Sequence, residues 1–528
     1  MKINKIVIVG GGSSGWMTAA TLIKLFPEKE IVIIESKDIP TIGVGESTLG
    51  SINNWLDLLG ITKESFMKEC DASYKLSIKF KGFYKEDDEG FHYPFGQPVF
   101  EKNKDFGTPE DWNIKRMLNK DVPVSDYVDT FYPISSFINT NKYTDNLNGE
   151  VSGFDHRYDS AVHFDATKFA IWLKNNICIP NGVILINESV TEINYNIDGI
   201  KFLKLSNNDE VSADLFIDCT GFKSLLLSKF NPKFINYNNL IPNNKAWATR
   251  IPYSNKEKEL EPYTTCTAIK NGWVWNIPLW SRIGTGYVYS DNFISKEDAL
   301  IEYKEYILKT YQGVDLSSLE FKDISFKVGI NDKTWIKNVV AIGLSAGFIE
   351  PLESNGLFTV HEFLIKLCTI IEREYISQWD IDSYNAITYN LYNDFAVFVS
   401  MHYALSVRED SEYWKFLKNK TFFPEIINHE FTNKTSPMDL IIKKFYTNSW
   451  GHIGYAGGGS KGLHCIATGM NYNIFPSINI FLKNRGVDFV KRVEDLEQVW
   501  YNNKVKWKSI ADKNLTLYNY LNKRIYND

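Results

Sequence analysis

The residues from Lys5 to Gly15, Lys-Ile-Val-Ile-Val-Gly-Gly-Gly-Ser-Ser-Gly, constrain this chain most, because a β-branched apolar run feeds directly into a Gly-x-Gly-x-x-Gly turn. Strand, turn and helix in that order make a dinucleotide site. Gly10 supplies the tight turn, Gly12 lets a pyrophosphate approach the backbone, and Gly15 lets the helix beginning near Ser14 pack on the strand. The phosphates belong at that helix's positive end. A second strand, Glu30 to Ile34, leads to Glu35, at the roughly 20-residue spacing expected of the acid that holds a ribose hydroxyl. The same glycine spacing recurs at Gly457, Gly459 and Gly462. No apolar strand precedes that copy and no clear amphipathic helix follows it, so it reads as a loop.

A chain of 528 residues has room for about three domains and a large core. Its net charge of -6 is small for that size, and no basic run points to nucleic acid or a membrane surface. The cysteines at 70, 178, 219, 266, 368 and 465 form no Cys-x-x-Cys pair, which predicts core residues in a reducing compartment and no metal site. The first residues enter a strand almost at once, and no apolar run approaches the roughly 18 residues of a spanning helix, so a soluble, cytoplasmic protein is expected. The 14 tryptophans suggest flat ligands, though a core built of rings is the more common explanation.

Further along, Gly43 and Gly45 make a flexible loop, followed by Glu46 and Ser47 as a helix start. Residues 72 to 80 alternate, with Tyr74, Leu76, Ile78 and Phe80 on one side and Ser73, Lys75, Ser77 and Lys79 on the other, the pattern of a half-buried strand. From about 83 to 150 the sequence is polar, aromatic and irregular, an insertion that reads as a functional segment or part of a second lobe rather than a plain connector, and that the resemblance given below puts on the substrate side. A helix is expected from His163 to Leu173, strands near 182 to 206, and a buried strand from Asp214 that ends at Thr220 and Gly221, where backbone can approach a nucleotide. Residues 245 to 330 are strand-rich, a helix is expected from 357 to 377, and the remainder is mostly helical. Trp273, Trp275 and Ile277 alternate onto one face of a strand ended by Pro278, so that two indoles form a wall.

Taken together these segments resemble the flavin-dependent halogenases of the tryptophan-halogenase family. Gly10-Gly-Gly-Ser-Ser-Gly-Trp-Met is similar to that family's opening motif, Trp273-Val-Trp-Asn-Ile-Pro to its Trp-x-Trp-x-Ile-Pro signature, and Ser73-Tyr-Lys with Ile78-Lys-Phe to the segment of its essential lysine. Phe348-Ile-Glu-Pro-Leu-Glu-Ser-Asn-Gly is similar to the segment of its catalytic glutamate and halide site. The resemblance implies Lys75 as the residue that carries or polarises the halogen and Glu353 as the acid that stabilises the cationic arene and helps remove its proton, with Lys75 as its partner. Glu350 is the competing acid three residues earlier. Asn355 and Gly356 correspond to the halide site, with Asn where the family has Thr. Flavin contacts implied are Ser13 and Ser14, Gly45 and Glu46, Val190, Leu344 and Leu357. The indole wall would keep organic substrate away from the flavin, so that the oxidant meets halide instead.

The substrate pocket departs from the family. Phe95 fits, Tyr93 aligns with a histidine and has His92 beside it, and the remaining aromatic aligns with Tyr446, with Trp450 four residues on. No residues that would grip a free amino acid are recognisable in the last third. The reading is an α/β protein with a Rossmann-like FAD module of the aromatic-hydroxylase type over residues 1–400 and a mostly helical part over 401–528. Its expected reaction is halogenation of an electron-rich aromatic other than free tryptophan, with FADH2, oxygen and halide, the reduced flavin coming from a separate reductase. A homo-oligomer is compatible with this. The alternatives are a flavin monooxygenase, which needs substrate close to the flavin, and a strict tryptophan halogenase.

Overall fold

The run Lys5–Val9 lies inside a six-stranded sheet in the computed structural model, which describes residues 2–36, 46–101, 104–147, 149–418, 461–472 and 488–527. Across that sheet the order is Trp335–Ile336, Val339–Ala341, Leu215–Asp218, Lys5–Val9, Glu30–Ile34 and Ile184–Ile186. Every pairing is parallel except that of the edge strand Trp335–Ile336. Parallel strands are covered on both faces, which is why their sequences run apolar without alternation. Ile6, Val7 and Ile8 have no exposed surface. The helix Ser13–Leu25 follows the first strand directly, giving the α/β class expected.

A seven-stranded sheet runs Lys322–Ser325, Lys245–Ile251, Ile283–Tyr289, Gly272–Pro278, Tyr263–Ile269, Ser77–Lys81 and Phe91–Pro94. Its two faces are distinct. Trp273, Trp275 and Ile277 join the main core, whereas Val274 packs with Tyr287, Tyr303 and Ile307 under the helix Lys296–Thr310. A small third sheet pairs Ala161–Phe164 with both Glu46–Ser47 and Ser73–Lys75. It continues through Leu76 into the seven-stranded sheet.

Four local expectations change. Glu46 and Ser47 form a strand, because their backbone pairs with Phe164 and His163. His163 and Phe164 are strand as well, and the helix starts only at Ala166, where the Asp165 side chain accepts the N–H groups of Thr167 and Lys168. Residues 72 to 80 are two strands rather than one, and the polar side is not solvated: Ser73, Lys75 and Ser77 are fully buried. The irregular insertion contains the helices Pro109–Leu118, Asp126–Phe131 and Ser135–Asn139. Its acids are held from the far end of the chain, by Arg492 on Asp111 at 3.0 Å and by Lys504 on Asp126. The helix Gln378–Ala404 passes through residue 400, where the sequence reading divides the chain. All six cysteines are buried and unpaired, and no described helix is long and apolar enough to cross a membrane.

Candidate functional site

The glycine turn has the geometry a phosphate needs. Gly10 has φ +114°, and a Cβ there would lie 2.3 Å from the Cys219 carbonyl oxygen. A Cβ at Gly15 would lie 1.8 Å from the Gly10 carbonyl oxygen, so only glycine lets the helix start this close to the turn. Gly12 differs, having nothing within 4 Å of its Cβ position, and Gly221 at the end of the neighbouring strand is equally open. The tight positions build the turn and the open ones leave room at a helix N-terminus for a pyrophosphate. Glu35 lies over Gly11 and pairs with Lys174 at 2.9 Å. Ser13 Oγ donates to the Ala166 carbonyl, and Ser14 Oγ faces Gly343, which leads into Leu344. Val190 begins a strand next to Ser189, whose hydroxyl bonds that of Ser36 just past the second sheet strand. These residues fit an FAD.

Leu357 is in the first turn of the helix Gly356–Ile371, and Asn355 is its N-cap residue. Glu46 Oε2 lies 3.8 Å from the Cβ position of Gly356. The Glu46 carboxyl is pushed up to about 7, first by burial and second by the charge of Asp165. The acid therefore sits beside the expected halide site carrying little charge in acidic solution. The Asn355 side-chain oxygen is buried and has no hydrogen-bond partner.

Lys75 is fully buried, and its ammonium nitrogen donates to the Thr48 carbonyl at 2.9 Å and to Ser354 Oγ at 2.8 Å. It stands 5.0 Å above the Phe95 ring. Burial lowers its affinity for a proton to about 7, against smaller opposing effects of Cys266 and Glu353. Lys79, on the same side of the alternating pattern, stacks on Tyr263 at 5.8 Å, so the fold separates two lysines that periodicity could not.

Glu353 and Glu350 are both fully buried with carboxyls pushed up by burial, but their surroundings differ. Glu350 accepts from Asn243 at 2.7 Å, Trp273 Nε1 at 3.4 Å and the Tyr403 hydroxyl, so it is saturated and holds an indole of the wall. Glu353 and Lys75 feel each other's charge, as expected of partners, but they are not within ion-pair distance. The contact made by Glu353 is His402, whose Nε2 lies 2.9 Å from Oε1, close enough for an ion pair though not aligned as a hydrogen bond. His402 Nδ1 faces the Val399 carbonyl at 3.2 Å, and a carbonyl can only accept. Sequence reading missed His402, which lies in the long helix Gln378–Ala404 and belongs to no motif.

The indoles of Trp273 and Trp275 meet edge to face at 6.2 Å. Gly286 on the next strand is what admits them, since a Cβ there would stand 2.1 Å from the Trp275 ring. Tyr93 and Phe95 are buried in the main core, and Tyr93 lies close enough to Glu353 to feel its charge. His92 points away, bonding Ser77 Oγ at 3.0 Å. Gly45, Tyr446 and Trp450 lie outside the described residues.

The family model described as tryptophan halogenase matches residues 5–458. A tryptophan 6-halogenase of Streptomyces albogriseolus is 32% identical over 431 residues, 78% of either chain. Among solved structures, apo VirX1 superposes with a TM-score of 0.90 at 37% identity, covering 99% of this chain and 100% of that one. The tryptophan 6-halogenase from Streptomyces toxytricini superposes with 0.82 at 27%, covering 98% and 99%.

Proposed function

The chain belongs to the tryptophan halogenase family and is an FADH2-dependent halogenase that uses halide and oxygen; from that premise we propose that Lys75 directs hypohalous acid onto an electron-rich aromatic other than free tryptophan. Bound FADH2, with oxygen and halide, supplies the hypohalous acid, and a separate flavin reductase supplies the FADH2. The observation that carries the reading is the setting of Lys75: a fully buried amine whose two hydrogen-bond acceptors, a carbonyl and a hydroxyl, bear no charge that would hold its proton. A desolvated lysine of this kind is available as a nucleophile near neutrality.

The other residues have parts that follow from where they lie. Gly12 and the N–H groups behind it hold the pyrophosphate, and Glu35 holds the ribose. Asn355 and Gly356 hold halide at the N-terminus of a 16-residue helix, where partial positive charge favours an anion. Trp273, Trp275 and Ile277 bar the arene from the flavin side, which disfavours direct hydroxylation. Phe95 and Tyr93 flank the arene beside Lys75. Glu353 takes the ring proton, and His402 keeps that acid aimed inward. Tyr93 in place of the family's histidine supports a different ring substrate.

The test is mass spectrometry of phenols, indoles and free tryptophan, each incubated with enzyme, reductase, oxygen and chloride, bromide or iodide. Halogen mass shifts on phenols or indoles but not on free tryptophan are expected. Halogenation confined to free tryptophan overturns the substrate reading, and addition of oxygen without halogen overturns the reaction.

A further inference from the structure

A continuous line of buried polar groups leaves the Lys75 amine and ends at the Pro278 carbonyl. Lys75 Nζ bonds Ser354 Oγ at 2.8 Å, Ser354 Oγ bonds Ser47 Oγ at 3.1 Å, and Ser47 Oγ bonds Thr264 Oγ1 at 2.7 Å. Thr264 Oγ1 then bonds His163 Nε2 at 2.9 Å, His163 Nδ1 lies 3.2 Å from Ser73 Oγ, and Ser73 donates to the Pro278 carbonyl at 2.5 Å. Every side chain in the line is less than one-tenth exposed, and Lys75, His163 and Ser73 are at 0%. Ser354 reaches its place in a left-handed conformation, φ 56° and ψ 32°, that a residue with a side chain rarely adopts.

The two ends fix the direction of every hydrogen between them. An ammonium can only donate and a carbonyl can only accept. The Ser73 hydrogen is committed to Pro278, so Ser73 Oγ accepts from His163 Nδ1, and the imidazole is also hydrogen-bonded to the Pro278 backbone. His163 Nε2 is then an acceptor for Thr264, Thr264 for Ser47, Ser47 for Ser354, and Ser354 for Lys75. All the hydrogens point from the amine to the imidazole.

We propose that this line is a proton relay, in which Thr264, Ser47 and Ser354 carry a proton between Lys75 and His163 so that the amine can accept a halogen without contact with bulk water. The inference rests on the Lys75 reading above. Lys75 enters as ammonium, and one proton passes to Ser354 while each hydroxyl hands its own proton on, ending at His163 Nε2. The neutral amine attacks hypohalous acid: the N–X bond forms, the O–X bond breaks, and one amine proton leaves with the hydroxide as water. When the halogen passes to the arene, the ring proton reaches the amine nitrogen through Glu353, and the His163 proton returns along the line to restore the ammonium. The sum is hypohalous acid and arene giving haloarene and water. Burial and the Lys75 charge hold His163 well below its usual range, against the Pro278 hydrogen bond. Once the proton leaves Lys75 that charge is gone, which removes the second of these two effects while burial, the larger, remains. Glu353 and Cys266 are the other ionisable groups acting on Lys75.

Two measurements test this. In flavin-free protein labelled with 15N-histidine, His163, assigned by its loss in His163→Gln, is expected as the Nδ1–H tautomer with an unprotonated, hydrogen-bonded Nε2. An Nε2–H tautomer overturns the relay. In turnover with bromide, Thr264→Val is expected to lower haloarene formed per hypobromite made by about a hundredfold, and Thr264→Ser, which restores the hydroxyl, to recover most of it. Undiminished yield in Thr264→Val, or equal loss in both variants, overturns it. Should Thr264→Val fail to fold, Ser47→Ala breaks the next link with the same expectation. Lys75→Ala separates the two readings: haloarene from that variant removes the Lys75 reading itself, whereas its inactivity beside a fully active Thr264→Val removes only the relay.

Discussion

At the scale of single residues, depth decides which of the chemically similar groups is poised to react. Lys75 and Lys79 share one side of an alternating pattern, and Glu350 and Glu353 are three residues apart, so sequence spacing could not rank either pair. The fold ranks both, by burying Lys75 among neutral acceptors and by saturating Glu350 with three donors. Glu46 gives a pH prediction. Its carboxyl is raised to about 7, so it is neutral below that pH and becomes an anion above it, beside Gly356. Like charges repel, so the halide KM is expected to rise as pH climbs through about 7. Glu46→Gln, which cannot ionise, should abolish that rise. Steady-state rates against bromide concentration at several pH values decide it, and a halide KM that stays flat in the native enzyme contradicts the placement of halide at Asn355 and Gly356.

At the scale of elements, what was legible is what depends on local pattern. The parallel strands announced themselves as unbroken apolar runs, and the strand Gly272–Pro278 as an alternation whose two faces now lie in different cores. The segment 72 to 80 misled because alternation reports polarity, not exposure. Its polar face is covered by Ser354, Thr48 and Pro278, which come from elsewhere in the chain. The nucleotide turn yields a clean element-level prediction. Nothing lies within 4 Å of the Gly12 Cβ position and its φ of -79° suits any residue, so Gly12→Val should fold normally. The valine would occupy the phosphate space, and FAD affinity is expected to fall by at least about tenfold, a loss of about 1.4 kcal/mol. Titration of FAD against thermally intact protein measures it; unchanged affinity contradicts the phosphate assignment.

At the scale of the whole molecule, the site gathers Glu46 and Lys75 from the first hundred residues, His163 and Thr264 from the middle, and Glu353 and His402 from later in the chain. Short motifs mark some of these, which is why Lys75 and Glu353 could be proposed from sequence. His163, Thr264 and His402 are assembled only by long-range packing of three sheets and a helix, and no local signal distinguishes them from ordinary core residues. In the proposed reaction Lys75 stands between oxidant and arene. That role is checked by following, in one reaction, free hypohalous acid with a chemical trap and haloarene by mass spectrometry, for the native enzyme and for Lys75→Ala. The variant is expected to oxidise FADH2 and release hypohalous acid while haloarene disappears. Haloarene formed by Lys75→Ala at the native rate would contradict it.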